Sequence, residues 1–106
     1  MLRSVGQAPV TGSGKDPRAS ALGAAVSRLR RELAGNPGRF PDRDIAEDEL
    51  AVLAAMAQGG QSDIQRMRRS LLLIAGAIGS VSALGPALMQ VRHAVDLFGQ
   101  SPGPVR

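Results

Sequence analysis

One run of 22 residues, Ser70 to Val91, contains no charged side chain, whereas every other stretch of that length contains Arg, Lys, Asp or Glu. Its apolar residues recur every three or four positions, which is the spacing of one face of an α-helix. A helix that is apolar on all sides has to be enclosed by other helices of the chain, by another copy or by lipid. The run therefore constrains the fold more than any other feature.

The core has to be built from aliphatic side chains, because Phe40 and Phe98 are the only aromatic residues in the chain. A chain of 106 residues has room for one domain with a modest core. Abundant Ala and Leu favour helix packed against helix and disfavour a β-sandwich. We predict an all-α fold, either a small helical hairpin or a four-helix arrangement around a central apolar helix, with disordered termini.

Capping signals predict the starts of the helices. Asp16, which precedes a proline, suits the start of the first helix. Asp44 and Ser62 are followed three residues later by Glu47 and Gln65, the pattern of a capping box. The predicted helices span residues 17–34, 44–58, 62–84 and 87–98.

Glycine and proline predict the breaks between the helices. These breaks fall at residues 35–38, at Gly59-Gly60 and at Gly85-Pro86. Both ends of the chain are rich in Gly, Ser and Pro and lack an apolar face to bury. The predicted organisation is a flexible amino-terminal arm, a helical domain and a flexible tail, at residues 1–15, 16–99 and 100–106.

The third helix has a regular apolar face. Six of its residues alternate at intervals of three and four, and we predict that they form a core or assembly seam: Ile64, Met67, Leu71, Ile74, Ile78 and Val81. Other apolar positions remain on the same helix after this seam is assigned. We predict that Leu72, Leu73 and Ala77 form an interface with a protein partner or another copy.

A basic cluster, Arg66, Arg68 and Arg69, precedes the uncharged run and is a candidate patch for an anionic partner. It is also compatible with the cytoplasmic flank of a membrane span, and a helix over 62–84 would match the thickness of a bilayer. A membrane-associated or membrane-inserting protein is therefore the alternative function. Gly85-Pro86 within the run and the lack of Trp and Tyr count against it.

A DNA-binding regulator is the second alternative, because the second and third predicted helices could imitate a helix-turn-helix. The third helix loses its polar face after Ser70, and the acids of the second helix would repel phosphate. Nucleic acid is therefore disfavoured as a partner.

No catalytic, cofactor-binding or metal site is predicted, and we expect no enzymatic activity. The chain has no cysteine and one histidine, His93, which cannot form a multi-histidine metal site. Residues 11–16 resemble part of a phosphate-binding loop, but the motif would need Gly where Pro9 stands and Ser or Thr where Asp16 stands. The acids around Asp44 lack the spacing of a calcium loop, and His93 with Asp96 forms no recognisable triad.

Charge suggests one further contact. Arg28, Arg30 and Arg31 could pair with the acids of the second helix across the first turn.

The predicted function is a non-enzymatic helical protein-interaction or self-assembly module, with a protein partner or a homo-oligomer. The first 16 residues contain no apolar segment of a secretion signal, so we expect a cytoplasmic location.

Three segments resemble a short actinobacterial, Streptomyces-like family of unknown function: residues 30–33, 46–57 and 68–84. The resemblance covers about residues 26–99 and implies a bacterial origin, with no activity to transfer. Twelve of the thirteen basic residues are Arg, which agrees with a GC-rich genome.

Overall fold

The computed structural model describes residues 16–38, 40–59 and 62–99. Within these ranges the chain forms helices and no strand, so the predicted all-α class is confirmed. The elements are α1 (Pro17–Gly35), α2 (Arg43–Ala57), α3 (Ile64–Ile78), a short 3-10 helix (Ser82–Leu84) and α4 (Gly85–Gly99). The predicted arm at 1–15 and tail at 100–106 lie outside the described residues.

The helices form a closed ring. Each packs against its neighbours in the chain, and α4 packs against α1 to complete the arrangement. Their inward faces share one aliphatic core, whose largest fully buried side chains include Leu22, Leu29, Leu50, Leu53 and Ile74. α3 is one of the four helices around this core, and its outer face is exposed to solvent, with Leu72 73% exposed.

Aspartate side chains cap α1 and α3. Asp16 accepts a hydrogen bond from the second amide of α1 at 2.9 Å, as predicted. α3 is capped by Asp63, which accepts from the amides of Gln65 and Arg66 at 3.1 and 3.2 Å. The predicted Ser62 cap was therefore wrong by one residue. A carboxylate is favoured here because it also stabilises the positive end of the helix dipole.

Arg43 replaces the predicted capping box at the start of α2. The helix begins at Arg43, after Asp42, and the Asp42 side chain makes no capping hydrogen bond. Glu47, the expected partner of an Asp44 cap, instead pairs with the Nε of Arg43 at 3.2 Å. The same guanidinium donates to the carbonyl oxygen of Leu33. Arg43 thus holds the carboxyl end of α1, where the helix dipole favours a cation.

The uncharged run is not one rod, so the predicted helix over 62–84 was wrong. α3 ends at Ile78 and is about 22 Å long. The chain turns at Gly79 and Ser80, two weak helix formers, and α4 starts at Gly85 rather than at residue 87. Pro86 begins a helix instead of interrupting one, because it needs no hydrogen bond there and Gly85 has no Cβ to clash with it.

None of the helices in the described ranges has both the length and the hydropathy that a bilayer crossing requires.

Two glycines should respond in opposite directions to alanine. Gly59 ends α2 with φ = 117°, a conformation that a Cβ disfavours, whereas Gly76 lies within α3 and open space surrounds the position of its missing Cβ. We expect G59A to lower the free energy of unfolding by about 1 kcal/mol or more. G76A should raise it by about 0.5 kcal/mol. Urea unfolding measures both, and a stabilising G59A would contradict the assigned end of α2.

Candidate binding groove between α3 and α4

The outer side of the uncharged run remains in contact with solvent. Four large apolar residues are exposed among the described residues: Leu72 (73%), Met89 (44%), Ile45 (43%) and Leu73 (39%). Three of them belong to the run, on α3 and α4. Single exposed apolar residues are common on protein surfaces, but a group on adjacent helices marks a candidate contact surface.

A groove separates the outer faces of α3 and α4, which have the least extensive contact of the four neighbouring helix pairs. Its volume is ≈ 300 Å³. We call it the α3–α4 groove, and its lining consists of Arg68, Leu71, Leu72 and Ala75 from α3, with Leu88, Met89 and Arg92 from α4. Five of these side chains are apolar and two are guanidinium groups, so the groove suits an apolar group accompanied by negative charge.

The six residues of the predicted seam occupy two environments. Met67, Ile74 and Ile78 are fully buried in the core. Ile64, Leu71 and Val81 are partly buried and pack against that core. Leu71 also lines the groove, and Val81 lies beyond the end of α3.

The predicted interface residues are not brought together at one site. Leu72 is the most exposed of the three and lines the groove. Leu73 is exposed but does not line it, and Ala77 is partly buried against the core. The sequence reasoning missed Met89 and Arg92. Their spacing of three residues places both on one face of α4, but the same spacing recurs along every helix and does not single them out.

The predicted basic patch is divided in the structure. Arg68 lines the groove, Arg69 is exposed, and Arg66 faces α2. Arg66 Nη1 donates to Glu49 Oε1 at 3.0 Å and to Ser70 Oγ at 2.9 Å. Arg68 thus borders the groove, whereas Arg66 belongs to a polar link between α2 and α3, and the charge of Arg69 also acts on Glu49 of that link.

Glu49 is the acceptor at the centre of that link. The fully buried Ser70 hydroxyl donates to Glu49 Oε1 at 2.7 Å, so α2 and α3 are joined across 21 residues of chain. This hydrogen bond is the main cause that lowers the pKa of Glu49; partial burial opposes it, and Arg66 and Arg69 lower the pKa further. Because Ser70 is fully buried, its hydroxyl cannot meet a substrate.

The predicted pairing of Arg28, Arg30 and Arg31 with the acids of α2 was wrong. Arg28 pairs with Glu32 within α1 at 2.8 Å and donates to Gln90 of α4 at 2.6 Å. Among the residues that the structure describes, no ion pair joins α1 to α2.

No group of three or more histidine or acidic side chains is arranged to hold a metal ion in the described part of the chain. His93 and Asp96 are both exposed and share no hydrogen bond. His93 lines a shallow depression between α1 and α4 that is formed mainly by alanines.

The hydrogen bonds and ion pair of Glu49 should make the free energy of unfolding depend on pH at acidic values. A lowered pKa in the folded protein means that the ionised carboxylate stabilises the fold above the ordinary glutamate pKa of about 4.3. That contribution is lost as the pH falls through the lower, folded value. We expect E49Q to be less stable than the parent at pH 7, and the gap to narrow steadily below about pH 4.

Urea unfolding of both proteins from pH 7 to pH 3 measures this gap. S70A is the matched control, because it removes the largest cause of the lowered pKa while Glu49 stays in place. The pH dependence of S70A should lie between those of the parent and E49Q. A gap that is constant over the whole range would contradict the ionic link.

A family model matches residues 11–99, a wider span than the resemblance seen in the sequence. No curated protein and no solved structure shows a significant match to the chain. Because the matched region covers most of the 106 residues, the chain belongs to the family of unknown function DUF5955.

Proposed function

We propose that this protein is a non-enzymatic protein-interaction module whose binding surface is the α3–α4 groove. The observation that carries the proposal is the exposure of Leu72 (73%) and Met89 (44%) on opposite sides of one groove. Covering such a surface removes apolar area from water, which favours association by roughly 25 cal/mol per Å² before the entropic costs of binding.

The lining defines the chemistry of the partner. Aliphatic side chains of a partner helix can contact Leu72 and Met89, and its carboxylates can pair with Arg68 and Arg92. An amphipathic helix with an apolar residue beside acidic ones combines both features. The groove is small, which suits one or two inserted side chains rather than a large folded surface.

The same lining supports a role without catalysis. The polar groups of the groove are the guanidiniums of Arg68 and Arg92. An arginine stays protonated at physiological pH and therefore neither accepts nor relays a proton in a reaction. The buried Ser70 hydroxyl is the one buried polar side chain among the described residues, and it is engaged in a hydrogen bond to Glu49 that joins two helices.

The geometry gives less support to a nucleic-acid partner. Arg68 and Arg92 border the groove, but Leu72 and Met89 lie between them. A phosphate backbone offers no apolar surface to cover these two side chains. A cytoplasmic location and an actinobacterial origin remain predictions; the second is supported by the preference for Arg over Lys.

Site-specific photo-crosslinking tests the groove directly. A photoreactive amino acid replaces Leu72 or Met89 in cells of the source organism. Ser20, which is exposed on α1 beside the carboxyl end of α2, serves as the control position. We expect protein adducts at positions 72 and 89, and several-fold fewer at position 20. The absence of adducts at both groove positions, or equal yields at all three, would contradict the proposal.

A further inference from the structure

We infer that the α3–α4 groove binds the first turns of α2 from a second copy of this chain, with Ile45 as the inserted side chain. This inference rests on the proposed function and names the partner of the same groove.

Ile45 is an apolar residue on an acidic surface. Its side chain is 43% exposed, and it is the one large exposed apolar residue in the described ranges that lies outside the uncharged run. Asp48 lies one turn beyond Ile45 on the same side of α2, and Asp44 lies one turn before Asp48, so two carboxylates lie near Ile45. Both aspartates are exposed, and neither forms an ion pair with a described residue.

The groove has the opposite character. Leu72 and Met89 present apolar surface, and Arg68 and Arg92 provide two positive charges. Neither arginine forms an ion pair with a described residue. Ile45 with its two aspartates thus matches the groove in both polarity and sign of charge.

Charge disfavours the other occupants that this chain offers. A symmetric contact of groove with groove would bring Arg68 and Arg92 against their own copies. Residues 1–15 carry Arg3 and Lys15 and no acid, and residues 100–106 carry Arg106 and no acid. In contrast, five of the nine acidic residues lie near the start of α2: Asp42, Asp44, Glu47, Asp48 and Glu49.

Such a contact joins two different surfaces, so every copy has one donor surface on α2 and one acceptor groove. Association of this kind continues into a ring or an open chain. One helix turn in a small groove buries less area than a stable dimer requires, so we expect weak binding, with Kd in the range of about 1 μM to 1 mM.

Complementation between two variants tests the inference. I45D removes the inserted residue and leaves the groove intact, whereas L72D damages the groove and leaves Ile45 intact. Both positions are exposed, so both variants should fold, and circular dichroism checks this. A second pair, D44R/D48R and R68E/R92E, tests the charges without altering an apolar residue.

Analytical ultracentrifugation of the full chain, up to about 1 mM, measures the association. The parent should form species larger than a dimer as its concentration rises. Each single-surface variant alone should stay monomeric, and an equimolar mixture of I45D and L72D should form a dimer that grows no further. Each charge variant alone should also stay monomeric, because its two surfaces carry the same sign of charge. Mixing the two restores opposite charges at both contacts, so this mixture should grow beyond a dimer, and added salt should weaken the parent assembly.

Three results would overturn the inference: a monomeric parent at all concentrations, self-association of I45D alone, or a mixture that remains monomeric. None of these three results contradicts the proposed function, because the crosslinking experiment tests the groove as a binding surface independently of its occupant. Crosslinks from position 72 to a different protein would retain the groove as a binding surface and reject the second copy as its occupant.

Discussion

Removal of aliphatic side chains from water on the inner faces of four short helices is the interaction on which the structure depends. The chain has few aromatic residues and no cysteine, so neither aromatic packing nor disulfides can replace that contribution. Leu22 and Leu29 of α1, Leu50 of α2, Ile74 of α3 and Val91 of α4 all lie in one core. Each helix is stable because its neighbours cover its apolar face.

The turn at Gly79 and Ser80 decides how the uncharged run is used. A continuous helix over the run would have been longer than its neighbours and apolar on every side. The turn divides the run into two shorter segments that line the same core, with Ile78 buried from one and Val91 from the other. The outer sides of both segments then lie next to each other, and the α3–α4 groove forms between them.

The features that were predicted correctly from the sequence are those that depend on residues close together in the chain. The all-helical class follows from helix-forming composition and three-to-four spacing, and the Asp16 cap follows from a carboxylate ahead of a proline. The break after Ile78 was missed because Gly85-Pro86 is the stronger breaking signal, and only the three-dimensional structure shows that it begins a helix.

Contacts between distant residues were not predictable from spacing. The hydrogen bond from Ser70 to Glu49 depends on how α2 and α3 pack, and it satisfies a buried polar side chain at the first position of the uncharged run. The groove likewise depends on the separation of α3 and α4. Met89 and Arg92 carry no sequence signal that distinguishes them from other positions on an amphipathic helix.

The central claim is that the uncharged run has one side in the core and one side open to solvent. Methyl NMR of the dilute full chain with a soluble paramagnetic probe measures this difference for each side chain. We expect strong broadening of the Leu72 and Met89 methyl signals, and weak broadening of those of Ile74, Ile78 and Val91. Equal broadening of Leu72 and Ile78 would contradict the account.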